Sequence, residues 1–142
     1  MELKLGIPEI RAYMEAEFPQ IRGRFELLDL APGFLKARMA VTEADLRPGG
    51  TISGPSIFAL VDCAFYMATL AVVGCEALAV TTSCAIDFMR KPAPGDLVAE
   101  ARVLKLGRAL SVGDVLVFSP GVDGPVARAG VTFSIPPKRG AA

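Results

Sequence analysis

The sequence predicts a single α+β domain over residues 1–142, in which one long apolar helix lies against an antiparallel sheet. Two observations carry this prediction. A long apolar segment has proline near its start and glycine just after its end, as a helix requires. The segments around it show strand periodicity and are joined by turn sequences. The length of 142 residues and the hydrophobic content of 52% suffice for one buried core.

The part of the chain before the long helix is predicted to form a short helix and a hairpin. Residues 7–18 are amphipathic, and Pro19 ends the pattern. Two strand-like runs, 24–30 and 34–41, are joined by Ala31-Pro32-Gly33, which is typical of a turn.

The long helix is predicted over residues 55–73, with Pro55 in its first turn and Gly74 past its end. After it the hydrophobic period changes to two, which predicts four strands and then a frayed tail. The strands are placed at 79–89, 97–106, 110–118 and 126–135. Strands before and after one long helix indicate an α+β arrangement.

Composition excludes several classes of function. Acidic and basic side chains balance at 15 each without a basic run, so we expect no nucleic-acid partner. Histidine is absent, which excludes histidine-dependent hydrolysis and histidine-ligated zinc. Acid–base chemistry must therefore use carboxylates, hydroxyls, lysine or backbone donors, and we predict neither a metal nor a cofactor.

Cysteine usage and the N-terminal sequence predict a cytoplasmic protein. Cys63, Cys75 and Cys84 form no CxxC motif and have apolar neighbours, as expected of reduced thiols. Acidic residues interrupt the N-terminal segment, which is therefore not typical of a signal peptide. Because the chain is more apolar than usual, we expect part of its surface to be buried between subunits.

The long helix carries one formal charge, Asp62, and is long enough to cross a membrane. A lone acid in mid-helix is costly in lipid, and the neighbouring segments are amphipathic strands. We therefore predict a helix buried inside a protein and no membrane partner.

A polar stripe on this helix marks the candidate site. Asp62, Tyr66 and Thr69 fall on one side of the helix, whereas Cys63 is predicted to point elsewhere and to pack in the core. Asp62 is either a hydrogen-bonded structural acid or an acid with a raised pKa, suited to act as base or nucleophile. The residues alone do not decide between a structural and a catalytic role for Asp62.

Two segments resemble the hotdog thioesterases of the phenylacetic-acid-pathway (PaaI) type. They are RPGGTISGPSIFALVD at 47–62 and TTSCAIDFMRKPAPGDLVAEARVLKLGR at 81–108. The resemblance implies a hotdog fold and hydrolysis of an acyl-coenzyme A thioester. It further implies a homodimer or homotetramer with active sites shared between subunits. Coenzyme A would then be part of the substrate rather than a cofactor.

The resemblance also implies roles for three residues. The family's acid falls on Asp62, its backbone oxyanion donor on Gly54, and its hydroxyl partner on Thr81. A helix N-terminus suits the second role, because its amides and dipole face developing negative charge. Asp62 and Thr81 of one subunit would then face Gly54 of the other.

Two positions depart from the family pattern, with Arg47 in place of an asparagine and Ser53 in place of a histidine. Arg47 is a candidate to bind an acyl carboxylate or a coenzyme A phosphate, or it pairs with a surface acid. Ser53 and Tyr66 are further candidates for substrate contact. These departures leave open an alternative function, a hotdog module that binds acyl-coenzyme A without hydrolysing it.

Three other basic residues, Arg90, Lys91 and Arg108, are candidates to bind the phosphates of coenzyme A. Their alternative is to be ordinary solvated charges at strand ends. The identity of the acyl group is not encoded in any pattern that the sequence displays.

Overall fold

The computed structural model describes residues 1–76 and 78–137, so most of the predicted frayed tail lies outside the described residues. It contains two α-helices and six strands within this part of the chain. These are α1 (Ile7–Glu17), β1 (Phe25–Ala31), β2 (Phe34–Met39), α2 (Gly54–Val73), β3 (Val80–Phe88), β4 (Leu97–Leu106), β5 (Leu110–Phe118) and β6 (Ala127–Ser134). The predicted order of elements is confirmed.

The six strands form one antiparallel sheet in the order β1-β2-β4-β5-β6-β3. The predicted hairpin is present, with Ala31 opposite Phe34 beside the turn. β2 ends at Met39, two residues before the predicted end, because the Val41 N–H donates to the Asp96 carboxylate (3.0 Å). β1 and β3 are the edges of the sheet.

The long helix α2 forms the centre of the core. All residues from 63 to 72 are buried, and α2 packs on strands β2 to β6. α2 is the helix that is long and apolar enough to cross a membrane among the described residues, yet 72% of its most apolar window is buried inside the fold. The prediction of a buried helix therefore accounts for its apolar character.

Close packing between α2 and the sheet depends on Gly113 of β5. A Cβ atom at this position would lie 1.9 Å from the Arg102 carbonyl oxygen and 2.6 Å from the Phe65 ring. Only glycine fits there, so the ring of Phe65 can rest directly on the backbone of the sheet.

Candidate active site

The polar stripe of α2 lies along one row of residues that crosses the sheet. Phe133 of β6 is opposite Thr81 of β3 on one side and Ser111 of β5 on the other. Asp62 contacts Thr81, Tyr66 stacks on Phe133, and Thr69 contacts Ser111. Each residue of the stripe therefore meets a different strand.

At the β3 end of this row, the Thr81 hydroxyl donates a hydrogen bond to Oδ1 of Asp62. A β-bulge between Thr81 and Ser83 interrupts the pairing of β3 with β6 at this point. The Asp62 side chain is partly buried, and within residues 1–76 and 78–137 its Oδ2 has no hydrogen-bond partner. One oxygen is thus held in place while the other can accept a proton or attack a carbon atom.

The other two residues of the stripe have different surroundings. Tyr66 stacks on Phe133 with ring centroids 5.8 Å apart, and burial raises the pKa of its phenol to about 12. Thr69 is fully buried and shares a hydrogen bond of 3.0 Å with Ser111. Thr69 therefore stabilises the contact between helix and sheet and does not reach the candidate site.

A cavity of about 230 Å³ lies beside Asp62. Its lining is mainly apolar and consists of Glu17, Phe18, Asp62, Cys63, Tyr66, Ala79, Val80, Thr81 and Phe133. Cys63 is buried, as predicted, and lines this cavity together with Asp62. Burial and the nearby Asp62 charge raise the pKa of the Cys63 thiol to about 12, so it stays protonated at neutral pH.

The N-terminus of α2 is capped by Ser53. Its hydroxyl oxygen accepts a hydrogen bond from the Ser56 N–H (3.3 Å) and lies 3.0 Å from the Ser56 hydroxyl. The next N–H, that of Gly54, has no partner among the residues that the structure describes, and Pro55 has no N–H to offer. Gly54 thus presents a free backbone donor, while the hydroxyl of Ser53 is engaged in the cap.

A buried acid that the sequence did not reveal as important holds this turn. Asp45 is 4% exposed and accepts hydrogen bonds from Arg24 (2.9 Å to Oδ2), the Thr42 N–H (2.8 Å) and the Ser56 hydroxyl (2.7 Å). The bond with Arg24 is the main reason that the pKa of Asp45 lies well below its ordinary value. The pattern Thr42-x-x-Asp45 could have indicated a capping box. Arg24 and Asp45 are 21 residues apart in the sequence, so no local sequence pattern could have predicted their ion pair.

Three of the predicted basic residues lie together. Arg47, Arg90 and Lys91 line an open cleft of about 670 Å³, and Gly54 lies in its wall. Arg90 donates to the Pro125 carbonyl (2.6 Å), which fixes its guanidinium, and its other side-chain N–H groups have no hydrogen-bond partner within residues 1–76 and 78–137. The cleft is therefore suited to anionic groups next to the N-terminus of α2.

Arg108 does not join this group. It lines a separate cavity of about 620 Å³ with Lys4, Val73 and Glu76. That cavity lies beyond the C-terminus of α2, and a helix of 20 residues is about 30 Å long. Within one chain, Arg108 therefore does not share a cavity with Arg90 and Lys91.

Gly54 and Asp62 of one chain are also too far apart to act on the same carbonyl. They are eight residues apart on α2, which corresponds to about 12 Å along the helix axis. A donor and a base that serve one carbonyl must each lie within about 3 Å of the reacting atoms. If both act, they must come from different subunits.

No group of three or more cysteine, aspartate or glutamate side chains that could hold a metal ion is present in the described parts of the chain. The carboxylate of Asp62 can take part in proton transfer or in nucleophilic attack.

Comparison with known proteins identifies the family of this chain. The sequence profile of the thioesterase superfamily matches residues 49–125, which include both Gly54 and Asp62. The chain belongs to the thioesterase superfamily. A protein from Deinococcus radiodurans that carries the name "Putative esterase" is 33% identical over 111 residues, which are 76% of this chain and 73% of the relative.

Solved structures confirm the PaaI-like hotdog fold. A structure titled as that of a "putative thioesterase" from Silicibacter sp. TM1040 is 55% identical, with a TM-score of 0.89 and 96% of both chains covered. A variant of the phenylacetic acid degradation protein PaaI from Thermus thermophilus is 29% identical, with a TM-score of 0.71. That match covers 83% of this chain and 99% of the other. Family and relatives together indicate a hydrolase of the thioesterase type.

Proposed function

We propose that the protein hydrolyses the thioester of an acyl-coenzyme A to the free acid and coenzyme A. The observation that carries the proposal is the carboxylate of Asp62. One of its oxygens is held by Thr81 and the side chain lines a mainly apolar cavity. An acid in this setting is positioned to activate a water molecule or to attack a carbonyl carbon.

In the general-base route, water attacks the thioester carbonyl carbon and its proton passes to Asp62. The tetrahedral oxyanion accepts a hydrogen bond from the backbone N–H of Gly54 of the partner subunit. The C–S bond then breaks, and the coenzyme A thiolate takes up the proton from Asp62. If Asp62 is instead the nucleophile, a mixed anhydride forms and water hydrolyses it. A single turnover in heavy-oxygen water separates the two routes, because only the second can place label in Asp62.

Self-association is supported by the edge strand β3. Unlike the inner strands it has no buried residue, and its large apolar side chains Val80 and Phe88 are 56% and 58% exposed. Phe58 of α2, which is 42% exposed, borders an apolar groove together with Phe88, Cys84 and Ile86. A second copy that covers β3 would satisfy its edge and bury this surface. We therefore expect a homodimer, or a homotetramer built from such dimers.

The basic cleft at Arg47, Arg90 and Lys91 is the proposed site for the phosphates of coenzyme A. Gly54 lies in the wall of the same cleft, so the cleft connects the proposed phosphate site with the proposed oxyanion donor. The two arginines can bind phosphate oxygens in pairs, whereas lysine acts as a point charge.

We also propose that the enzyme is cytoplasmic, because its three cysteines are free thiols.

A thiol-release assay over a panel of acyl-coenzyme A thioesters tests the proposal. Asp62→Asn keeps the size of the side chain and an oxygen to accept from Thr81, but it removes the base. We expect its rate to fall by about 10²- to 10⁴-fold. Equal rates in the two proteins would show that Asp62 is not the catalytic acid.

A second candidate function is a module that binds acyl-coenzyme A without turnover. Arg47 and Ser53, which stand where related thioesterases have asparagine and histidine, favour it. Calorimetry distinguishes the candidates: tight binding of acyl-coenzyme A with no hydrolysis of any thioester would support the module and exclude the enzyme.

A further inference from the structure

A second cavity follows the one beside Asp62 along the same face of α2. Its volume is about 420 Å³, and its lining combines the buried Met14, Leu27 and Met67 with four exposed charged residues, Arg11, Glu15, Arg22 and Glu26. Cys63 lines the first cavity and Met67 the second. Residues four apart lie one above the other on a helix, so the two cavities are successive spaces one helical turn apart. The apolar part of the second wall also includes Ile21 and Phe25.

One side chain stands between these spaces. Among the described residues, Phe18 alone lines both cavities. It caps the C-terminus of α1 and is followed by Pro19, which begins a short 3-10 turn. Its position is thus fixed by the backbone at the end of a helix.

We infer that Phe18 limits the length of the acyl group that this enzyme accepts. The inference rests on the proposed function. Within one chain, Phe18 bounds the cavity of about 230 Å³ beside Asp62 on the side of the second cavity. Without the Phe18 ring, a chain that starts at Asp62 would continue into the second cavity at Met67.

Phe18 contributes less to the core than the buried residues of α1. Ile10 and Met14, which anchor α1 to the core, are 0% and 7% exposed, whereas Phe18 is 38% exposed. Because burial of apolar surface is what stabilises the fold, removal of the Phe18 ring should change the cavity more than the stability.

The test compares wild type with Phe18→Ala and with Leu104→Ala. Leu104 is 65% exposed and lines none of the cavities described above, so it is a matched control for loss of a surface apolar group. The full protein is assayed for kcat/KM with thioesters from acetyl- to palmitoyl-coenzyme A. In Phe18→Ala the ratio of long-chain to short-chain kcat/KM should rise about 10-fold or more. Leu104→Ala should keep the wild-type ratio.

Two further variants make the result specific. Phe18→Leu retains most of the volume of the phenylalanine side chain, so it should raise the ratio of long-chain to short-chain kcat/KM by less. It replaces Phe18→Ala in the test if the alanine variant does not fold. Adding Ile21→Trp to Phe18→Ala should narrow the second cavity and reduce the gain in kcat/KM for long chains. An unchanged chain-length profile in active Phe18→Ala and Phe18→Leu proteins would overturn the role of Phe18 and leave the proposed function intact. If wild type neither hydrolyses nor binds any of these thioesters, the proposed function itself fails.

Discussion

One aspartate lies before α2 and another lies within it. The difference between their surroundings distinguishes a structural role from a catalytic one. Asp45, before the helix, is 4% exposed and accepts hydrogen bonds from Arg24, Thr42 and Ser56. Asp62, in the helix, is partly buried and, among the described residues, accepts from Thr81 alone. The first carboxylate is saturated, whereas the second keeps an oxygen for a substrate or a water.

Because of this difference, Asp45 and Asp62 have different roles. A saturated carboxylate beside an arginine stays ionised and has no lone pair directed at a ligand, so it cannot transfer protons in a reaction. Asp45 instead fixes the turn that presents Gly54, because its backbone carbonyl also accepts from the Ser53 N–H (2.7 Å). Asp62 lines a cavity and is the acid that can react.

Asp45→Asn should have the largest effect on stability. The substitution leaves Arg24 without its ionic partner in a mostly buried setting, and we expect a loss of about 2–3 kcal/mol. Asp62→Asn should change the free energy of unfolding by less than about 0.5 kcal/mol, since the bond from Thr81 can be retained. Urea denaturation of the two variants measures this contrast. A larger loss of stability in Asp62→Asn than in Asp45→Asn would show that Asp62, and not Asp45, is the structural acid.

The stabilisation by Asp45 should depend on pH. Because its pKa is lower in the folded than in the unfolded state, its contribution is complete above the unfolded pKa of about 3.9 and decreases as the pH falls below that value. The stability difference between wild type and Asp45→Asn should therefore be constant from neutral pH to about pH 5. It should decrease in more acidic solution. A difference that is lost near neutral pH would contradict the depressed pKa.

Thr81→Val should lower activity without unfolding the protein. It removes the hydroxyl that holds Asp62 and keeps a β-branched side chain of the same shape on β3. We expect a decrease in kcat of about 10-fold, equivalent to about 1.4 kcal/mol. Thr81→Ser keeps the hydroxyl and should retain most of the activity, so equal losses in both variants would show that the bond to Asp62 is unimportant.

Ser53→Ala should lower stability less than Asp45→Asn does, by about 1 kcal/mol, through the missing helix cap. Because the site depends on the backbone N–H of the next residue, KM should change little if the turn is retained. A large increase in KM at unchanged stability would indicate that the Ser53 hydroxyl binds the substrate directly.

The sequence predicted the elements well because the long helix and the strands have clear periodicity and are bounded by proline and glycine. α2 begins one residue before its predicted start, at Gly54. The pairing of Asp62 with Thr81 followed from the family resemblance, and the structure brings these residues together.

The contacts that depend on tertiary packing could not be predicted in this way. Helical winding places Thr69 on the same side as Asp62, but α2 passes from β3 to β5 between them, so Thr69 meets Ser111. Arg108 resembles Arg90 and Lys91 in the sequence, yet the sheet carries it to the other end of α2. Arg24 and Asp45 meet only because the folded chain brings them side by side.

We propose that Asp62 of one subunit and Gly54 of the partner subunit form each active site, and mixed oligomers test this arrangement most directly. Asp62→Asn removes the acid, and Gly54→Pro removes the N–H. The extended backbone of Ser53 (φ −71°, ψ 152°) permits a proline after it. Gly54→Ala, which keeps the N–H and meets only the Phe88 ring at 3.5 Å, is the matched control and should stay active.

Each of the two variants should be inactive alone. After subunit exchange, half of the dimers are mixed and each mixed dimer has one intact site, so about a quarter of the wild-type thioesterase activity should return. If both variants are inactive and their mixture stays inactive although mixed dimers are isolated through two affinity tags, the two residues do not form a shared site and the account is wrong.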